Sequence, residues 1–138
     1  MSLFKGEKAC VASGFEGRVT LEGKPASGAR IVRTFKWKDE KGETEETIAD
    51  KDGRFSFPSH WGVFRRVLPV EVYSFQDIFV YYNGQEYRIW RIGKLDKSEY
   101  SEFGGKPKNF RCELTENFRR VDLEHGFVGT NCYWESSK

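Results

Sequence analysis

A chain of 138 residues, 38% hydrophobic and 16% aromatic, carries enough apolar mass for one core and one domain. Its 23 basic and 21 acidic side chains leave a formal charge of +2, which removes the electrostatic case for non-specific nucleic-acid binding or a polybasic membrane anchor. No apolar run reaches the ~18 residues of a membrane span, and Cys10, Cys112 and Cys132 contain no Cys-x-x-Cys pair that would indicate a zinc site.

Residues 1–13 read as a polar leader in which Cys10 and Val11 start an edge strand. No continuous apolar core of a secretory signal is present there. The chain is therefore expected in the cytoplasm, or in the periplasm if a signal has been removed ahead of Met1. An odd number of cysteines fits three thiols in a reducing compartment, or one bridge and a free thiol in an oxidising one.

Phe15, Gly17, Val19 and Leu21 alternate with Glu16, Arg18, Thr20 and Glu22, as a half-buried strand requires. Gly23 and Pro25 make a tight reversal, and Gly28 leads into a long strand from Ala29 to Lys38. Arg33 falls on the apolar side of that strand with Ile31, Phe35 and Trp37. Its stem is expected to cover aromatic rings at a sheet edge while the guanidinium reaches water or a carboxylate. After a turn at Asp39–Gly42, Thr44 to Ala49 is a polar return strand, and Glu43, Glu45 and Glu46 make it a solvated edge that discourages further pairing. Asp52-Gly53 turns the chain into Phe55 and Phe57.

The alternation breaks at residues 59–69. Ser59 is placed to cap one or two helical turns, and Trp61, Phe64 and Leu68 at offsets of three and four predict an apolar stripe. The stripe either lids the core or, facing outward beside Arg65 and Arg66, forms a contact site for another protein. Val70 to Tyr82 and Glu86 to Gly93 then form a hairpin at Asn83-Gly84, the sequence of a type I′ turn. Its rings, Phe75, Phe79, Tyr81, Tyr82, Tyr87 and Trp90, are too many for one inner face. Lys94 to Lys108 reads as a long polar loop and Phe110 to Thr115 as a last regular strand. Val121, Leu123, Phe127 and Val128 suggest one further short element. Residues 131–134 form an apolar tail that packs back, and 135–138 fray. The single domain is expected to span 14–134.

The succession Gly17-x-Val19, Gly23-x-Pro25-x-x-Gly28-Ala29-x-Ile31 and Asp50-x-Asp52-Gly53-x-Phe55-x-Phe57 resembles the bacterial carboxypeptidase regulatory-like, transthyretin-like superfamily. The resemblance covers about a third of the chain. It implies an all-β, prealbumin-like Greek-key sandwich of about seven to eight strands, here with one short helical insertion. It carries no chemistry by itself. The layout is also similar to small stand-alone bacterial proteins found among interbacterial-competition secretion genes, which implies an immunity or accessory protein of type VI secretion.

No catalytic or metal residues emerge. His60 and His125 lie in no zinc-binding motif, and Asp122, Glu124 and His125 fit no known ligand spacing. Asp50 to Gly53 lacks the third oxygen ligand and distal Glu of a calcium loop. No serine lies in a nucleophile elbow, and the tail lacks the Tyr-Arg-Gly-Ser of transthyretin-like hydrolases. The expectation is a non-catalytic domain without cofactor that binds another protein, a secreted effector among the candidates, through Trp61, Phe64, Arg65, Arg66, Tyr81, Tyr82 and Trp90. The alternative is a carbohydrate-binding module stacking sugars on Tyr81, Tyr82, Tyr87 and Trp90.

Overall fold

The computed structural model describes residues 7–37, 41–64, 74–124 and 126–137. In chain order the strands are β1 (Glu7–Ala12), β2 (Phe15–Leu21), β3 (Lys24–Pro25), β4 (Arg30–Trp37), β5 (Lys41–Ile48), β6 (Arg54–Phe57) and β7 (His60–Phe64). They continue as β8 (Ser74–Tyr82), β9 (Gln85–Lys94), β10 (Lys106–Glu113), β11 (Arg119–Leu123), β12 (Gly126–Thr130) and β13 (Cys132–Ser137). A short 3-10 turn, Ser101–Phe103, interrupts the connection from β9 to β10.

Six strands in the order β11-β12-β9-β8-β4-β5 form one antiparallel sheet. The second sheet runs β13-β10-β2-β3, with β6 also on β2, and its β10–β2 pairing is parallel. The two meet in a sandwich-like arrangement, because each strand sends alternate residues to one shared core. Phe15, Val19, Phe55, Phe57 and Phe110 enter it from one sheet, and Ile31, Ile78, Val80, Ile89, Trp90 and Val128 from the other. Each such side chain contributes about 1.5–3 kcal/mol on burial. The ring of Phe15 lies 4.6 Å from that of Phe110 and 5.4 Å from that of Phe103, centre to centre. Gly17 makes this packing fit, since a Cβ there would sit 2.7 Å from the Phe55 ring.

Turn chemistry matches the sequence where glycine sits in the left-handed region. Asn83 and Gly84 have φ of 51° and 73°, the type I′ pair of the β8–β9 hairpin. Glu22 and Gly23, with φ of 53° and 80°, repeat the device between β2 and β3. Gly53 has φ of 79°, and a Cβ there would lie 2.4 Å from the carbonyl oxygen of Val19.

Residues 60–64 of the expected helical insertion form strand β7, paired antiparallel with β1 to make a two-stranded ribbon. The ladder to β1 satisfies backbone groups that a helix there would leave β1 without, and this outweighs the three-and-four spacing of the apolar residues. Residues 65–69, the remainder of that insertion, lie outside the described residues. Among the described residues β5 is the end strand of its sheet, with Glu43 and Glu46 exposed as expected for an edge, whereas Glu45 turns inward to pair with the buried Arg33 rather than with solvent. The expected single element near Val121 is a hairpin of two strands, β11 and β12, and β13 continues to Ser137. Cys112 and Cys132 face each other across β10 and β13 and form a disulfide, while Cys10 is a buried free thiol.

Candidate functional site

The ribbon of β1 and β7 belongs to neither main sheet, so something must hold it. Part of the hold is apolar. Ala9, Val11 and Ala12 pack with Phe35 of β4 in a small second core. The rest is a buried polar network, which a protein interior tolerates only when its groups are paired.

Arg33, 1% exposed, is the hub. Its guanidinium lies 4.8 Å over the Phe57 ring, donates to the carbonyls of Ser13 (2.7 Å) and Pro58 (2.6 Å), and is ion-paired with Glu45. Burial lowers its pKa, and the Glu45 carboxylate opposes that shift. The second oxygen of Glu45 lies 2.8 Å from His60 Nε2, at the start of β7. Arg33 lies on β4, which pairs with β5 on one side and β8 on the other, one strand in from the expected sheet edge.

A second cluster fastens the end of β1. Glu102, on the 3-10 turn, accepts hydrogen bonds from the Ser13 amide (2.8 Å), the Ser13 hydroxyl (2.6 Å) and Gln76 Nε2 (3.1 Å). Lys94 Nζ lies 3.8 Å from Glu102 Oε1 and donates to the carbonyls of Asp96 and Ser98. Burial raises the pKa of the Cys10 thiol beside this cluster, so it rests as a neutral thiol.

Held this way, β7 turns Trp61 and Val63 outward, 47% and 70% exposed. They lie two residues apart on one side of the strand, and Lys8 Nζ of β1 lies 5.2 Å from the centre of the Trp61 ring. Val63 and Lys8 were not among the residues singled out from sequence; their signal is the period of two that β7 follows. The backbone of Phe64 ends β7, and nothing of its side chain is described. Arg65 and Arg66 lie outside the described residues.

The remaining expected contacts divide between the two sides of the β8–β9 hairpin. Trp90 requires correction. It is 1% exposed and packs on Phe103, Phe110 and Trp134, so it offers no surface to a partner or a sugar. A bulge opposite Ile78 and Phe79 turns both Ile89 and Trp90 inward. Tyr82 and Tyr87 also lean on the core. Tyr81 points outward, its ring stacked with that of Phe79 at 6.5 Å, and its hydroxyl pKa is raised by a hydrogen bond to Glu86. The four-ring sugar platform therefore does not assemble on one face.

Some of the outward rings carry arginine covers, while Phe75 and Phe118 are 60% and 45% exposed. Arg30 lies 4.4 Å over Tyr81, Arg88 5.1 Å over Phe79 and Arg120 4.0 Å over Phe127. Each is also paired with a carboxylate, of Glu46, Asp77 and Asp122 respectively. Among the described residues the cation near Trp61 is a lysine, and about half of Trp61 is open to solvent. Among the described residues no group of three or more His, Cys, Asp and Glu side chains is placed to hold a metal ion.

No curated protein and no solved structure matches the chain. A family model described as a domain of unknown function does, from residue 15 at the start of β2 to residue 117 just before β11. With most of its length inside that match, the chain belongs to the DUF6795 family.

Proposed function

We propose that this chain is a non-catalytic bacterial protein-binding module whose contact surface is centred on β7. One observation carries the reading: Trp61 and Val63 stand exposed and adjacent on a ribbon clamped by buried ion pairs. Tryptophan is the residue most often found as an interface anchor, and a rigid presentation lowers the entropy lost on binding. A secreted effector of type VI secretion is the partner that the sequence resemblance favours. The same resemblance supports a transthyretin-like, Greek-key ancestry for the sandwich, through Gly23, Gly28 and Gly53 at positive φ in its motif turns.

The test is affinity capture from the native cell extract, followed by titration of the purified partner against wild type and Trp61→Ala/Val63→Ser. Losing one buried tryptophan anchor costs about 2 kcal/mol or more, so binding should weaken by roughly 30-fold or more. Equal affinity for the double variant removes the ribbon as the contact.

A carbohydrate-binding role has one observation in its favour. A shallow cleft of about 330 Å³ at the hairpin tip gathers Arg30, Tyr81, Asn83, Gln85 and Glu86, a set suited to sugar hydroxyls. A glycan array that is bound by wild type and lost on Tyr81→Ala would favour this role over the ribbon.

A further inference from the structure

The two sheets part company at one side of the sandwich. β12 belongs to the six-stranded sheet and β13 to the other, joined through Asn131, so β11 and β13 diverge from a common apex. Among the described residues β11 pairs only with β12 and β13 only with β10. Between them lies a wedge of about 290 Å³.

The backbone of β13 shows what this wedge offers. The Cys132 amide donates to Thr130 Oγ1, and the Cys132 carbonyl accepts from Arg119 Nη2 at 2.7 Å, so both point away from β10. The Cα atoms of Cys112 and Cys132 are 4.1 Å apart, the spacing of a pair that exchanges no ladder hydrogen bonds. By the period of two, the N–H and C=O groups of Trp134 and Ser136 point the same way, into the wedge. Pro107, which has no N–H to give, stands opposite Ser136, as this register requires.

The walls supply the second half. Arg119, Val121 and Leu123 alternate on the inner side of β11, facing Trp134 and Phe103. Arg119 closes the apex, with its guanidinium 3.8 Å from the centre of the Tyr133 ring. Trp134 Nε1 and Ser136 Oγ both donate to the Phe103 carbonyl, so these side-chain polar groups are engaged. Among the described residues, these contacts leave an apolar slot beside the unpaired edge of β13, with its row of backbone donors and acceptors. Its volume lies at the small end of ligand pockets and suits one or two large side chains rather than a cofactor.

We infer that the wedge is a β-augmentation site. It takes an extended segment of a partner protein that pairs with the edge of β13 and places an aliphatic or aromatic side chain between Leu123 and Trp134. This site is separate from the β7 ribbon and stands whether or not that surface binds anything.

The probe is a displayed library of random linear dodecapeptides selected against the full chain, with the enriched peptides then synthesised. The expected result is a consensus of alternating apolar residues whose binding slows hydrogen exchange at the Trp134 and Ser136 amides. Ser136→Pro removes one outward N–H, a change that an edge strand tolerates, and should weaken binding at least tenfold. Leu123→Lys should do the same through the slot. N-methylation of the peptide at its paired positions repeats the test on the wild-type protein, so the result does not depend on a variant folding. No enrichment, or binding indifferent to N-methylation, overturns the inference.

Discussion

Arg33 occupies a position where its strand pattern calls for an apolar side chain, and each of its three guanidinium nitrogens has a partner. Replacing it with methionine keeps an apolar stem but removes the guanidinium from over Phe57, strands the Ser13 and Pro58 carbonyls and takes from Glu45 its guanidinium partner. Breaking a buried pair on one side costs about 3–5 kcal/mol, so Arg33→Met should lower unfolding free energy by that order in urea titration. Glu113 makes the opposite use of charge at a partly exposed turn. Burial pushes its carboxyl up, but hydrogen bonds from the Thr115 hydroxyl and the Gly23, Thr115 and Glu22 amides together bring it down to about 2 from the usual 4.5. A carboxylate with a depressed folded pKa contributes stability that is complete above the unfolded value and is lost as pH falls toward the folded one. Wild type should therefore lose stability between about pH 4.5 and pH 2, and Glu113→Gln should be weaker at neutral pH and flatter across that window. Thermal unfolding of both proteins as a function of pH checks this.

Among the elements, those set by neighbouring residues were readable and those set by distant partners were not. β2, the β8–β9 hairpin and the glycine turns follow from period-two patterns and local φ demands at Gly23 and Gly84. β7 did not, because Trp61, Phe64 and Leu68 mimic a helical stripe, and the partner that makes residues 60–64 a strand lies some fifty positions earlier in β1. The inward turn of Trp90 depends on a bulge, one extra residue that no alternation announces. The cysteine pairing was open for the same reason: only the β10–β13 register brings Cys112 opposite Cys132. That bridge closes a loop with a sequence separation of 20, for which chain entropy predicts about 3 kcal/mol. Replacing both cysteines with serine should lower the unfolding free energy by this order, and adding reductant to the serine variant should change nothing further.

Over the whole molecule, the apolar sandwich was legible in composition and alternation, whereas the candidate site was legible only at Trp61. The ribbon depends on Arg33, Glu45, Ser13, Lys94 and Glu102, which span about ninety residues of sequence and are neighbours only through the tertiary fold. The arginine covers have a related logic. They partly shield Phe79, Tyr81 and Phe127, whereas Phe75, on the same side of β8, is 60% exposed. The covalent link between β10 and β13 also fixes how the molecule bears load. Tension applied at the C-terminal end passes through sulfur into β10, which lies beside the central strand β2. The residues between the two cysteines, about 70 Å of extended chain, sit outside that line of force and cannot be drawn out while the bridge is intact.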